Sequence, residues 1–409
     1  MIATAAKTQL LREAARRQSG ENTNEIVRAP RFTIDGSAEL ENHLAGICQK
    51  VLAGIRSVVP GNKLEAMLLG GGYGRGEGGV LKTAAGDRPY NDLDFYVFMR
   101  GSRALNERRF GRALGRLAGE LSVDAGGVEV ELRLDSLWKL RRSCVSMFYY
   151  DLVMGHRRLW GHDNVLRGCE HHRQAEQIPL SEATRLLMNR CSGLLFAKER
   201  LRREPFTSED ADFVGRNLAK AQLAFGDVVL TAYGQYHWSC RERHARLERI
   251  DSATAPAWLP QALVHHSAGV NFKLHPCRTD LPAPALEARH RQLTALALQV
   301  WLWVESLRLG RSFTSARDYA FSTANKCPET ALWRNVMINV KTFGARSLLS
   351  PGIGFHPRAR LLSALSLLLF EPSDLNAPLL RRAQAQLRTT ATTFNNLVVA
   401  YETLWRQFN

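Results

Sequence analysis

Two aspartates separated by one residue follow a glycine-rich turn in this chain. The turn, Gly70–Gly76, comes after the apolar run Leu64–Leu69, and Asp92 and Asp94 lie further along. In a strand, the side chains of Asp92 and Asp94 project from the same face, and two carboxylates this close repel unless a cation lies between them. The backbone N–H groups of a glycine turn bind phosphate. These residues together predict a site where carboxylates and a divalent metal act on phosphate groups.

A third acid is expected on a later strand. Residues Val128–Leu134 alternate between apolar and charged side chains, a pattern typical of a strand with one buried face. Glu129 and Glu131 both lie on the charged face. Their oxygen atoms suit a hard divalent cation, and the alternation alone does not choose between them.

The turn and the acids resemble the signature of the polymerase-β-type nucleotidyltransferase superfamily. That signature is a strand, a Gly-Gly or Gly-Ser turn, a short helix, and a second strand with Asp-x-Asp or Asp-x-Glu. The resemblance covers roughly residues 37–170 and rests on Gly71–Gly76 and the aspartate pair. It implies that Asp92, Asp94 and Glu131 bind the metal and carry catalysis, with Mg²⁺ or Mn²⁺ as cofactor and ATP as the expected co-substrate.

The resemblance also bears on the third acid. Relatives often have acid, apolar, Arg, apolar at this point, and Glu131–Leu134 reads Glu-Leu-Arg-Leu. It therefore favours Glu131, with Glu129 as the reserve candidate. The chain departs from the family at two places: Gly72 stands where many relatives have Ser, and Glu131 stands where Asp is commoner.

The nucleotide is expected to contact the glycine turn and a basic residue of the second half of the chain. Arg75 can bind a terminal phosphate or form an ion pair with Glu77 or a buried acid, and the sequence leaves both open. Lys220 can reach the triphosphate or remain an exposed helix lysine. The residues implied for nucleotide binding are therefore Gly71, Gly72, Arg75, Gly76 and Lys220.

Nearby aromatic residues have two interpretations. Tyr73, inside the glycine turn, is expected to pack in the interior and not to stack on a base. Tyr233, Tyr236 and Arg243 can line a pocket for the acceptor, but a buried helix face explains the two tyrosines equally well.

The elements that carry these residues predict an α+β chain. A small mixed-sheet nucleotidyltransferase domain is followed by an all-α helical bundle domain, with expected boundaries 1–36 for an N-terminal lead-in, 37–170 and 175–409. Apolar periodicity predicts the following strands and helices in the first half: strands at Leu64–Leu69, Asp92–Phe98, Val128–Leu134 and His156–Trp160, and helices around Leu40–Ile55 and Leu105–Leu121.

The second half shows helical periodicity only. Residues 251–285 contain five prolines and few periodic signals, which predicts a long connection or lid. Helices are predicted at 181–203, 210–238, 286–308, 329–347, 357–370 and 374–407.

Composition limits the class of protein. The 409-residue chain has 55 Lys and Arg against 39 acids and a net charge of +16. This charge attracts polyanions, but no basic–aromatic repeat supports a nucleic-acid partner. The seven cysteines form no Cys-x-x-Cys pair, which fits a reducing, cytoplasmic location. No apolar run is long enough to span a bilayer, so no membrane partner is expected.

Three classes of function fit these observations. The favoured one is an enzyme that transfers a nucleoside monophosphate, most often AMP, from a nucleoside triphosphate onto a hydroxyl of an unknown small molecule or protein. The second is an RNA- or oligonucleotide-synthesising nucleotidyltransferase. The third is a catalytically silent nucleotidyltransferase fold that serves as a binding or antitoxin module.

Replacing Asp92 or Asp94 with Asn should abolish metal-dependent nucleotide turnover without loss of folding. The amide is a poor ligand for a hard cation. Removing one carboxylate also relieves repulsion, so the melting temperature should stay unchanged or rise slightly. Turnover of labelled nucleotide and thermal melting check this, and near wild-type turnover in either variant would show that its aspartate holds no catalytic metal.

Overall fold

A four-stranded mixed sheet organises the first half of the molecule. The computed structural model describes residues 31–251, 255–349 and 352–408, so residues 1–30 of the predicted lead-in lie outside the described residues. The sheet has the order β5-β4-β1-β6, with a separate hairpin of β2 and β3. The strands are β1 (Leu64–Leu69), β2 (Val80–Thr83), β3 (Gly86–Pro89), β4 (Leu93–Met99), β5 (Val130–Asp135) and β6 (Arg157–Trp160).

Strand direction follows from the pairing. β1 runs antiparallel to both β4 and β6, whereas β4 and β5 are parallel. The four predicted strands are confirmed to within two residues at their ends, and β6 lies at the edge of the sheet as predicted. The β2–β3 hairpin was not predicted, because its short strands carry no apolar alternation.

Helices cover both faces of the sheet. Leu93, Phe95 and Val97 of β4 share one core with residues of α1 and α3, while Tyr96 and Phe98 share another with residues of α4 and α5. Asp94 therefore lies on the α5 side of the sheet. The helices of this half are α1 (Ala38–Val58), α2 (Gly71–Gly74), α3 (Arg103–Asp124), α4 (Leu137–Leu140) and α5 (Met147–Met154).

The second half is helical, as predicted, so the chain is α+β. The longest helices, α6, α7 and α10, pack on one another and share a core that includes the fully buried Trp301. No helix in the described ranges is long and apolar enough to cross a membrane. The helices are α6 (Leu180–Arg200), α7 (Ser208–Ala232), α8 (Cys240–Leu247), α9 (Leu259–Leu274), α10 (Ala283–Leu309), α11 (Ala316–Phe321), α12 (Leu332–Phe343), α13 (Pro357–Phe370), α14 (Ala377–Leu387) and α15 (Phe394–Phe408).

Two predictions in this half were wrong. Residues 251–285 are not a long connection, because α9 occupies their middle and packs against α7. Proline begins α9 and α10 instead of breaking them, since the first turn of a helix has no N–H bond to lose. The single helix predicted over 374–407 is divided at Arg388, which adopts a left-handed conformation with φ of 50°.

Close packing requires glycine at two positions of the turn between β1 and β2. Gly71 has φ of +61°, and a Cβ there would lie 2.6 Å from Oδ2 of Asp94. A Cβ on Gly74 would lie 2.1 Å from the carbonyl oxygen of Leu69. The short helix α2 is thus pressed against the end of β1, which fixes the turn beside the aspartates.

Gly74→Ala should destabilise the protein, by about 1–3 kcal/mol or more, because the new methyl group overlaps backbone that cannot move aside. Gly115→Ala is the matched control, since this glycine lies within α3 and an added Cβ meets nothing within 4 Å. That change should stabilise the protein by about 0.5–1 kcal/mol. Chemical denaturation checks both values, and equal stability of the two variants would contradict the close packing of the turn.

Candidate functional site

The parallel pairing of β4 and β5 brings the acids together. Asp94 lies opposite Glu131 in the register, and the backbone N–H of Leu93 donates to the carbonyl oxygen of Glu129 over 2.8 Å. Asp92 precedes β4 by one residue, so its side chain lies beside the start of β5. The pairing of β4 with β5 thus brings four carboxylates from two separate parts of the sequence to one end of the sheet.

Three of these carboxylates converge. Oxygen atoms of Asp92, Glu129 and Glu131 all lie within 4.8 Å of one another. This separation and an all-oxygen donor set suit a hard divalent cation such as Mg²⁺. Both candidate glutamates belong to the group, so the geometry leaves the choice between Glu129 and Glu131 open, while Asp94 lies next to the group on β4.

Arg133 neutralises part of this acidic group. Its Nη2 atom lies 3.3 Å from Oδ1 of Asp94, and its Nε–H donates to Oε2 of Glu131 over 2.6 Å. Burial raises the pKa of Asp94 to about 6, with Glu131 and Asp92 adding to the shift and Arg133 opposing it. The guanidinium therefore supplies positive charge at the place where the predicted site needs it.

Three backbone N–H groups of the glycine turn have no acceptor among the described residues. The N–H groups of Gly71, Gly72 and Tyr73 donate to no acceptor within the described part of the chain, whereas the N–H of Gly76 donates to the carbonyl of Tyr73 over 3.4 Å. The donors at the start of a helix attract anions. Gly71 and Gly72 can therefore still donate to phosphate, while Gly76 already has an acceptor.

Arg75 forms an ion pair with a partly buried acid, and an ion pair was one of its two predicted alternatives. Its Nη1 atom lies 3.4 Å from Oδ2 of Asp151 on α5. Tyr236 donates its hydroxyl to the same oxygen over 3.3 Å and accepts from Nη1 of Arg243 over 2.5 Å. Arg243 continues the chain of contacts to Asp227, with Nε 2.9 Å from Oδ1. Tyr236 and Arg243 thus belong to a buried network and do not line an open pocket.

The structure also shows the surroundings of Tyr73, Tyr233 and Glu77. Tyr73 is buried and its hydroxyl donates to the carbonyl of Gly79 over 2.8 Å, which confirms that it packs. Tyr233 stacks on Trp303 within the helical half. Glu77 is not the partner of Arg75, because its carboxylate accepts from the backbone N–H of Cys240 over 2.9 Å at the start of α8.

Basic residues of the helical half face the acidic group. Lys220 and Arg216 are four residues apart on α7, which places them on one face, and each lies near enough to Asp92 to lower the pKa of its carboxyl. Desolvation and Glu131 outweigh them and raise that pKa. Burial, together with Arg190 and Arg216, lowers the pKa of the Lys220 ammonium. No hydrogen bond or ion pair joins Lys220 or Arg190 to any residue in the described ranges.

Three residues of this region were not predicted from the sequence: Asp151, Arg190 and Lys273. Asp151 interrupts the apolar run Met147–Met154, and a lone acid in such a run is a signal of a buried functional group. Burial, followed by the nearby charge of Arg75, lowers the pKa of Lys273 to about 8. Nothing in the sequence places Arg190 or Lys273 beside the acids.

Comparison with protein-family models and with curated protein sequences gives no match for this chain.

Arg133→Gln should strengthen the binding of Mn²⁺, because the guanidinium competes with a cation for the same carboxylate oxygens. An exposed ion pair contributes about 0.2–1 kcal/mol, so affinity should rise by up to roughly fivefold. Titration followed by electron paramagnetic resonance of free Mn²⁺ measures it, with the exposed Arg108→Gln on α3 as control. Unchanged or weaker Mn²⁺ binding in the Arg133 variant alone would contradict a metal site at these oxygens.

Proposed function

We propose that this chain is a divalent-metal-dependent nucleotidyltransferase. It moves a nucleoside monophosphate, with AMP from ATP as the first expectation, onto a hydroxyl of a small molecule or protein and releases pyrophosphate. The observation that carries the proposal is the convergence of Asp92, Glu129 and Glu131 within 4.8 Å, beside a glycine turn whose first N–H groups have no acceptor among the described residues.

The donor set fits a hard cation. Asp92 and Glu131 would hold the ion, with Glu129 as the alternative third ligand and Asp94 as the remaining predicted ligand. A bound divalent ion neutralises charge on the triphosphate and lowers the pKa of an acceptor hydroxyl. Arg133 contacts two of these carboxylates, and it would have to move aside as the ion binds.

The glycine turn would position the phosphates. The N–H groups of Gly71 and Gly72 point to no protein acceptor and can donate to phosphate oxygens. Gly71 brings its backbone close to Asp94 because it has no side chain, since a Cβ would lie 2.6 Å from the carboxylate. Any larger residue there would fill the space beside the acid.

The helical half would supply positive charge for the polyphosphate. Lys220 is exposed on α7 and lies near Asp92, and Arg190 of α6 adds positive charge near Lys220. No ion pair joins either side chain to a carboxylate among the described residues, so both are available to attract an anion. Both residues therefore gain most from a bound triphosphate, which supports a composite site made from both halves of the chain.

Arg75 would act by holding the turn in place. Its guanidinium is 8% exposed and pairs with Asp151, so it is poorly placed to leave this partner for a terminal phosphate. Breaking a buried pair leaves an uncompensated charge. We therefore assign Arg75 to positioning of the turn, and the direct phosphate contact stays with the backbone and with Lys220.

Incubation with each α-³²P-labelled nucleoside triphosphate, Mg²⁺ or Mn²⁺, and a cell extract tests the function. Label should pass to a protein band or a small metabolite in the presence of wild-type chain, and the Asp92→Asn variant should transfer none. Label on RNA would favour the oligonucleotide-synthesising alternative. Transfer that is equal in the wild type and the Asp92 variant, or absent with every nucleotide, would contradict the proposal.

A further inference from the structure

Helix α12 presents its apolar side to solvent. Leu332, Trp333 and Met337 are 68%, 60% and 57% exposed, while Asn335 and Asn339 on the opposite side are buried. A surface helix ordinarily does the reverse and turns its apolar stripe toward the core. The orientation of α12 therefore leaves an apolar surface without a protein partner in the described part of the chain.

Hydrogen bonds hold α12 in this orientation. Asn335 donates its side-chain N–H to the carbonyl of Gly354 over 2.8 Å. Asn339 donates to the carbonyls of Ile353 and Phe355, both over 2.9 Å. These bonds provide partners for three backbone carbonyls of the segment 353–355. Rotation of α12 to bury its leucine and tryptophan would break all three.

The segment after α12 extends the surface. Leu348 and Leu349 are 55% and 90% exposed. We name these two residues, together with Leu332, Trp333 and Met337, the apolar patch. Five large exposed side chains in one region of the chain are more than scattered surface residues and mark an interaction surface.

The charged residues in the segment that carries the apolar patch are all basic. Arg334, Lys341 and Arg346 are exposed within the same segment. The sequence contains no acidic residue between Glu329 and Glu371. A basic, tryptophan-containing amphipathic helix of this kind is suited to the interface of an anionic bilayer.

A second, separate feature has the same charge preference. A cleft of about 310 Å³ is lined by Lys326, Arg360 and Arg382, has no acid in its wall, and includes Gly352 and Phe355. We name its three basic residues the cationic cleft. The segment 352–355 joins the two features: Gly352 and Phe355 line the cleft, and a Cβ on Gly354 would lie 2.4 Å from Cδ1 of Leu332 in the apolar patch.

Among the described residues, no carboxylate lies within ion-pair distance of the three cations. Lys326 donates to the carbonyl of Ser322 over 3.1 Å, and Arg382 donates to that of Ala320 over 2.8 Å. Arg360 donates to the carbonyl of Ala385 over 3.3 Å. Backbone carbonyls orient these side chains but leave their charge uncompensated, so the cleft attracts an anion.

We propose that α12 and the adjoining cleft form a docking surface for an anionic phospholipid bilayer. The apolar patch enters the headgroup region, and the cationic cleft binds the phosphate of a lipid headgroup. This surface lies on a bilayer and does not span it, so it needs no membrane-spanning helix, and none occurs in the described ranges.

The charges argue against the other occupants. A twofold contact between copies would set the same surface against itself, and Arg334, Lys341 and Arg346 would then repel their equivalents. Single-stranded nucleic acid binds to successive aromatic platforms, whereas the apolar patch has one aromatic residue, Trp333. In a bilayer, the aliphatic side chains of the apolar patch would contact lipid hydrocarbon, and the neighbouring cations would contact lipid phosphate groups.

Sedimentation with phosphatidylglycerol vesicles tests the proposal, with phosphatidylcholine vesicles as the neutral control. The full chain should bind the anionic vesicles and not the neutral ones. Binding should weaken as the salt rises to about 1 M, where the screening length falls to about 3 Å. Absence of binding to anionic vesicles at low salt would overturn the proposal.

Variants separate the two parts of the surface. Trp333→Ser with Met337→Ser and Leu349→Ser should reduce vesicle binding by about tenfold or more, because binding scales with buried apolar area. Leu105→Ser with Val264→Ser, which changes exposed apolar residues on α3 and α9, is the matched control and should bind normally. Equal binding by the two sets would overturn the assignment of the apolar patch.

The cleft has its own test. Arg360→Gln with Arg382→Gln should weaken anionic vesicle binding, and a matched thermal melt shows whether this variant folds. If it does not fold, competition of wild-type vesicle binding by glycerol 1-phosphate replaces it. Stabilisation by inorganic phosphate without vesicle binding would overturn the lipid proposal in favour of a free phosphate. Self-association that the triple serine variant abolishes, or binding to an RNA oligonucleotide in place of vesicles, would also overturn it.

Discussion

Electrostatic balance at one end of the sheet is the constraint on which the candidate site depends. Parallel pairing of β4 and β5 sets Asp94 beside Glu131, and Asp92 and Glu129 extend the acidic group. Carboxylates at this separation raise one another's pKa unless cations compensate them. Arg133 provides one such cation from β5 itself, and a bound metal ion would replace it.

The same constraint shapes the interior between the halves of the chain. Arg75, Asp151, Tyr236, Arg243 and Asp227 form a continuous line of ion pairs and hydrogen bonds from the glycine turn into α7. Tyr236, Arg243 and Asp227 are buried, Arg75 and Asp151 are partly buried, and the buried charges are costly to leave unpaired. The turn and the helical half therefore hold each other in place, which is what a site built from both halves requires.

The net charge of +16 has two structural explanations. Some of the excess cations, such as Lys220 and Arg216, lie near the acidic group, where the proposed polyphosphate would neutralise them. Others are gathered on the acid-free surface around α12. The sequence total could not distinguish these sites, because charges distant along the chain meet only through packing. The proline content of residues 251–285 led to a wrong prediction for a related reason. Pro260 and Pro284 lie in the first turns of helices, and proline is compatible with a helix at that position.

Local periodicity determined much of this protein. Apolar runs indicated β1 and β4, and alternation indicated β5. The spacing of Asp92 and Asp94 placed their carboxylates on one strand face, because side-chain direction follows from the backbone of a few consecutive residues. Only the tertiary structure decided which partner each charge meets. Arg75 meets Asp151, Glu77 caps α8, and Lys220 faces Asp92, because these contacts depend on register and on helix packing between segments that no local pattern relates.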